Sequence, residues 1–575
     1  MEDITLIDWL FIAIVIIGTI GIGILYGRGS GKNYDSFFLG GKNMGWLAAG
    51  ISMVATTFAV DTPLAVTEMV SSYGIAGNWQ WWNFVIGGML TAFFFAKLWY
   101  RSGVKTEAEL IELRYSGKNA KGLRIFKSAF LGLFINVFIM GWVNLAFVSI
   151  LKVFFDVDDS QALLISFILM GLIAIYSTYV GLKGVIISDN FQFITAMIGC
   201  IVLAFVVVQS PEIGGLAGLR EKIPAETLAF FPDFSKQNNN PSLPLLSFIT
   251  FLGFAWWATW YPGNEPGGGG YVAQRILSTK SQKDAGLSVF IFQLLNLCLR
   301  PWPWIIVALC AYILYPGSGK EGYVMAMKDY MPAGMKGLML AAFFSAYMST
   351  ISTHLNWGSG YLVNDVLPAL KKNISEKQKV SYGKLIILFF MIASSIITLF
   401  MDSIAGAWIF LMECGAGLGT VLILRWFWHR INVWSEITAT FSPFVVMIVI
   451  TVLNRTAGFN ILFPNTFFIT FCFTTIAWLI VTFITKPEDT GTLQNFFEKV
   501  QPPLGWKKFR TEKNNNATFY YLVISWVSAV IMSYSFLFTI GSLMLKTAQE
   551  TIVYALILFI STTCLVVFGR KAFFK

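Results

Sequence analysis

At 575 residues the chain has the length of three or four ordinary soluble domains, yet 56% of its residues are hydrophobic, 13% are charged and mean hydropathy is +0.67. That excludes a string of soluble domains and indicates a polytopic helical membrane protein. The 41 Lys and Arg against 31 Asp and Glu leave a net charge of +10, which membrane topology accounts for without a nucleic-acid partner.

The first apolar run follows Glu2 and Asp3 rather than a basic segment and lacks a small-residue cleavage motif, so it reads as a retained helix. A crossing helix needs about 20 apolar residues, at 1.5 Å each through roughly 30 Å of hydrocarbon. Fifteen segments qualify, at about 5–26, 44–72, 78–100, 126–154, 160–181, 185–209, 246–262, 285–315, 337–366, 382–401, 404–428, 432–453, 466–485, 518–545 and 549–569. They are called the first to fifteenth spans below. Cys200, Cys298, Cys310, Cys414, Cys472 and Cys564 all lie in these apolar stretches without metal-type spacing, which argues against a disulfide framework or a zinc site.

Lys and Arg favour cytoplasmic loops. With the N-terminus outside and the C-terminus in the cytoplasm, 31 of the 41 basic residues fall on the inner side, nine fall outside and Arg300 lies within a span. The expected location is a cell membrane, such as a bacterial inner membrane. The basic loops 101–127 and 486–517 are then cytoplasmic, and 210–245, with Asn238 to Pro241, is the longest external loop.

Two spans are interrupted at membrane depth. The second runs from Gly50 through Thr56, Thr57, Asp61 and Pro63; the seventh runs from Ala255 into Pro262 and Gly270. Unpaired backbone groups in hydrocarbon cost several kcal/mol each, so a break must be enclosed by protein or line a site. The breaks are five spans apart, as expected for the first helices of two inverted five-helix repeats; Gly and Pro that only kink packed helices are the alternative. The division is 1–43 as an N-terminal accessory helix and loop, 44–209 as the first repeat, 210–245 as the external loop, 246–428 as the second repeat and 429–575 as accessory helices.

The ninth span carries a row of hydroxyls. Ala346, Ser349 and Thr350 share a helix face, and Ser352 and Thr353 continue it one turn on. Such a row can coordinate a hard cation or serve helix packing. Asp189, at the inner end of the sixth span, is expensive unless paired or bound to an ion; a nearby lysine is the structural alternative.

These residues resemble the sodium:solute symporter family, relatives of sodium/glucose, sodium/proline and sodium/sialic acid symporters. The resemblance runs from about Tyr34 to Ile431. It rests on Tyr34 to Asn43 and the broken span after it, Thr106 to Tyr115, Gly181 to Val185 with Asp189 and Gln192, Tyr271 to Ser281, and Ser349 to Asn356. It implies an all-α protein with LeuT-type inverted five-helix repeats and about fifteen transmembrane helices. It further implies a first sodium site from the Ala55, Phe58 and Ala346 carbonyls with the Ser349 and Thr350 hydroxyls, and a second from Asp189, Ser349, Ser352 and Thr353. Two sodium ions per cycle are therefore expected.

On the same resemblance, the polar positions that sugar transporters carry early in the third span align with Gln80 and Asn83, and a lysine-bearing position in the eighth aligns with Asn296. Thr57 and Thr62 lie in the broken segment. The tryptophans Trp81, Trp82, Trp256, Trp257 and Trp260 suit either stacking on a sugar ring or a membrane belt. Arg300, four residues beyond Asn296, can meet an anionic substrate or an internal acid such as Glu413. His354 is expected to be packed. The family's asparagine before Tyr271 is replaced here by glycine.

The expected function is sodium-coupled symport of a small polar solute, a sugar or sugar derivative, by alternating access. The alternatives are a sodium/amino-acid symporter of the proline kind, or a nutrient sensor on a transporter fold. An enzyme is disfavoured because no loop carries a nucleophile with a base, and a channel because the polar residues gather at two breaks. The expected partners are the solute, sodium ions and the lipid bilayer, without nucleic acid or an obligate protein partner.

Overall fold

The computed structural model describes residues 4–234, 243–260, 263–401, 404–510 and 516–573. The run Asn238 to Pro241 and Pro262 lie outside the described residues. Among the described residues all regular structure is helical, with two isolated extended bridges.

Among the described residues eleven helices are long and apolar enough to cross a membrane, twelve if the bent pair Trp46–Thr57 and Asp61–Tyr73 is one crossing. The fifteen expected segments all overlap helix. The counts differ for two physical reasons.

The first is a hidden turn. Asp159–Val208 is one 50-residue helix by its hydrogen bonds, but Gly181 inside it has φ 58° and ψ −178°. Tyr176 Oη lies 2.9 Å from Ser188 Oγ, whereas twelve residues of straight helix span about 18 Å. The chain therefore doubles back at Gly181, and the fifth and sixth spans are two crossings. Glycine is required there twice over, by the positive φ and because a Cβ would sit 2.8 Å from Ser30 Cβ.

The second reason is interruption. The seventh span is Leu245–Ala258 followed by Gly270–Ser278, and the eleventh is Ile404–Cys414 followed by Leu418–Phe427. No single piece of either is long enough to cross. The two interruptions satisfy each other: Trp260 N–H donates to the Gly415 carbonyl at 3.1 Å and Gly417 N–H to the Ala258 carbonyl at 2.8 Å. The start of the second span and the end of the seventh are joined in the same way, Met44 N–H to the Ser278 carbonyl at 3.0 Å and Lys280 N–H to the Met44 carbonyl at 3.1 Å. Backbone that leaves the helix at depth is thus paired by backbone from another span, as hydrocarbon demands.

Burial orders the spans from centre to rim. In the ninth, Met335–Leu370, 89% of the most apolar stretch is buried, against 11% in the last helix, Ala548–Lys571. The broken spans and the hydroxyl row are central, and the last helix faces outward.

The face that carries the basic loops is tied by a buried charge network. Glu436, fully buried at the start of the twelfth span, is bonded by the Lys127 ammonium, by Arg425 Nη1 at 3.2 Å and by Tyr115 Oη at 2.7 Å. Arg114 donates to the carbonyls of Arg425 at 2.7 Å and Ile431 at 3.0 Å. Removing the one carboxylate would leave two buried cations under-compensated. Glu436→Ala is expected to cost about 3–5 kcal/mol, read as a lowered thermal midpoint of the purified protein. Lys546→Ala, which breaks the 3.9 Å surface pair with Glu550, is expected to cost under about 1 kcal/mol in the same measurement.

Candidate functional site

The second span breaks for local reasons. The Thr56 and Thr57 hydroxyls bond back to the Ser52 carbonyl at 2.9 Å and the Met53 carbonyl at 2.7 Å, a pattern that bends helices. The helix stops at Thr57 and restarts at Asp61 with a bend of 61°. Pro63 falls in the first turn of the new helix, where its missing N–H has no helical acceptor to serve. The last carbonyls before the break lose their helical donors.

The ninth span faces this break. Thr350 Oγ1 lies 3.0 Å from the Thr56 carbonyl and 3.0 Å from the Ala346 carbonyl. The break carbonyl that it touches, Thr56's, lies next in the chain to that of Ala55, one of the expected sodium ligands. Ser349 Oγ donates to Asp189 Oδ1 at 2.8 Å, Ser352 Oγ to the Ser349 carbonyl at 3.2 Å, and Thr353 Oγ1 is 3.0 Å from Thr56 Oγ1. The expected ion-binding side chains therefore gather in one hydrogen-bonded cluster, and hard oxygens with a single carboxylate suit an alkali cation.

Asp189 has a counter-charge that is not the lysine considered from sequence. Arg275 Nη2 is 3.6 Å from its Oδ2, and Ser52 Oγ donates to the same oxygen at 2.6 Å. Arg275 also donates to Thr353 Oγ1 at 2.6 Å and to Ser52 Oγ at 3.2 Å. Its guanidinium thus bridges Asp189 and Thr353, two members of the expected second sodium set. Arg275 sits in Gly270–Ser278, the helix that follows the break in the seventh span. Sequence reading placed it in a family motif and missed this role, because no local pattern says which acid a distant arginine will meet.

A cavity of about 640 Å³ lies beside the cluster, reaching from Thr56, Thr350 and His354 to the loop Ser318–Glu321. Of the expected solute residues, Thr57, Thr62, Gln80, Asn296 and Arg300 line it. Asn296 lies in the π-turn Leu295–Leu299, which leads directly into Arg300. Such turns are frequent at functional sites.

Three expected solute residues are elsewhere. Asn83 is fully buried, its amide donating to the carbonyls of Trp79 at 3.0 Å and Gln80 at 2.8 Å. Trp256 packs on Trp526 with ring centres 6.2 Å apart, and Trp260 is held by its backbone bond to Gly415. None of the three lines the cavity. The reason is one of rotation: helix neighbours of cavity residues point to other spans, and tryptophans that fill a helix interface look in sequence like tryptophans that line a site.

Glu413 accepts from Thr466 and leaves Arg300 without that partner. His354 is buried, with Nδ1 2.6 Å from Asn136 Oδ1, packed as expected, although it also lines the cavity. Asp61, Tyr271, Trp142 and Trp408 line the cavity without having been named as solute contacts. Tyr271 Oη lies 3.0 Å from Thr57 Oγ1 and so links the two broken spans. Lone tryptophans in apolar runs gave no signal, but an acid beside a proline at mid-span was visible. In the seventh-span segment, Glu265 is 4% exposed and neither carboxylate oxygen has a hydrogen-bond partner among the described residues.

The arrangement has known counterparts. The profile of the Sodium:solute symporter family matches residues 37–438. A sodium/glucose cotransporter from Vibrio parahaemolyticus is 23% identical over 461 residues, covering 75% of this chain and 82% of that one. A human sodium/iodide cotransporter is 25% identical over 66% of this chain, and the match spans 58% of that protein's length. The solved structure of a Na⁺-coupled sialic acid symporter in a substrate-bound outward-open state superposes with a TM-score of 0.67 at 21% identity, over 84% of this chain and 99% of that one. That likeness shows the fold, the LeuT-type arrangement of inverted repeats. With the family profile covering most of its length, this chain belongs to the sodium:solute symporter family.

Proposed function

We propose that the protein carries a small polar organic solute across the membrane together with sodium, by alternating access around the cavity between the second, third, eighth and ninth spans. One observation carries the reading: Thr350 of the hydroxyl row meets the carbonyl of Thr56 at the helix break and also lines the solute cavity, so cation and solute share a wall. Anything that draws the ninth span onto the break also reshapes that wall, which is how one ligand changes the affinity for the other.

The first ion is assigned to the Ala55, Phe58 and Ala346 carbonyls with Ser349 and Thr350, joined by the Thr56 carbonyl. The second is assigned to Asp189, Ser349, Ser352 and Thr353, where it shares Asp189 with the Arg275 guanidinium. Two ions per cycle follow from this assignment. The repeats 44–209 and 246–428 move against each other, with the N-terminus outside and the C-terminus in the cytoplasm, the orientation that keeps most basic residues inside.

For the solute, Gln80, Asn296 and Trp81 support a sugar or sugar derivative, since amides donate and accept and an indole stacks on a ring. Asn83, Trp256 and Trp260 give that reading no support. A specific observation favours the second reading, an amino acid: Asp61 and Arg300 line one cavity.

Ser349→Ala is expected to leave folded protein in the membrane and to weaken the sodium dependence of uptake into vesicles by about tenfold or more, since a buried site cannot replace the lost oxygen with water. Unchanged sodium dependence would reject the first site. Asp189→Asn is expected to bring the sodium Hill coefficient of uptake from about two towards one; a value that stays near two places the extra ion elsewhere. Solute-induced signalling without any sodium-driven accumulation would identify a sensor instead.

A further inference from the structure

Two side chains in the central cavity carry opposite charges, and neither has an ion-pair partner within 4.0 Å among the described residues. Among the described residues, Asp61, 2% exposed, has no hydrogen-bond partner for its Oδ1, and Arg300, 1% exposed, has none for its Nε. The guanidinium's contact with backbone, Nη1 to the Val54 carbonyl, is 3.5 Å long, too long for a strong bond. Its other neighbours are rings: Trp304 at 4.9 Å and Phe58 and Trp81 at 5.8 Å from their centres. Asp61 and Arg300 form no ion pair with each other within 4.0 Å, nor does either with any other charged side chain among the described residues. The other acids and the base in the cavity lining, Glu68, Glu321 and Lys320, are less buried than Asp61 and Arg300.

We propose that the cavity takes a zwitterion: a solute of amino-acid size whose carboxylate is held by Arg300 and whose N–H-bearing ammonium is held by Asp61. This rests on the cavity being the solute site of the symport reading above. A carboxylate only accepts hydrogen bonds, so the group that Asp61 binds must donate them. Asp61 opens the helix Asp61–Tyr73, where the positive end of the helix dipole favours the ionised acid. The planar fork of Arg300 matches a carboxylate through two parallel bonds.

Ligand chemistry then sorts itself by what it leaves unpaired. A neutral sugar supplies a counter-charge to neither residue, and a sugar acid supplies one only to Arg300. A zwitterion completes both, and a site built around buried polar groups rejects analogues that lack the matching group. Trp81, Trp142 and Trp408 give the remainder of the solute an apolar wall. The volume of about 640 Å³ lies within the usual range for a small-molecule pocket.

The test is thermal stabilisation of the purified full chain, with and without sodium, by the common L-amino acids, glucose, myo-inositol and sialic acid. Any amino acid that stabilises is then compared with its N-acetyl derivative, which keeps only the anion, and its methyl ester, which keeps only the cation. At least one free amino acid is expected to raise the midpoint in sodium, with both capped forms binding about tenfold or more weakly. A capped form equal to the free one, or stabilisation by a sugar alone, overturns the zwitterion. A sodium response to which no amino acid adds also overturns it while leaving the symport reading in place; no response to sodium removes both. In Asp61→Asn the preference for the free amino acid over its N-acetyl form is expected to fall by about tenfold, and an unchanged preference overturns the role of Asp61. Should that variant fail to fold, the comparison of free and capped ligands on the unaltered chain decides the question.

Discussion

Backbone amides cannot be left bare in hydrocarbon, and most of this architecture follows from that constraint. A transport site needs free carbonyls at membrane depth, and a broken helix supplies them only if the rest of the protein shields the break. The second span is therefore packed against the almost wholly buried ninth. The seventh is bridged to the eleventh through the Ala258, Trp260, Gly415 and Gly417 backbone. Where a break cannot be bridged by backbone, side chains take over, as when Glu107 accepts from Gly270 N–H at 2.8 Å and Trp99 donates to the Gly267 carbonyl at 2.8 Å.

Charge at depth obeys the same economy. Asp189 and Arg275 lie at opposite ends of a set of hydroxyls that includes Ser52, Ser349 and Thr353, so the acid is never isolated. The Glu436 network does the same for two cations near the basic loops, Lys127 and Arg425, and there it ties elements together. In the central cavity Asp61 and Arg300 each keep a polar atom without a hydrogen-bond partner among the described residues.

The fifteen helical segments, the interruptions of the second and seventh spans and the hydroxyl row were legible from composition, spacing and breakers, whereas the interruption of the eleventh span was not. Each of the legible features is a one-dimensional property: twenty apolar residues span a bilayer, a proline at mid-run stops a helix, and residues three and four apart share a face. The turn at Gly181 was visible only as a gap between two apolar runs, and it takes the left-handed φ to show why 50 residues of continuous helix are two crossings.

Side-chain direction was not legible. Gln80 and Asn83 lie three residues apart, and one lines the cavity while the other caps backbone within its own helix. Trp81 lines the cavity while Trp256 and Trp260 hold helices together. The partner of Asp189 turned out to be an arginine 86 residues further along, since 275 − 189 = 86. Sequence by itself determined that the chain spans a membrane, where its helices break and which oxygens are available to a cation. Only the tertiary structure decided which of those groups meet, because meeting depends on how each helix is rotated and on what the neighbouring spans leave unpaired.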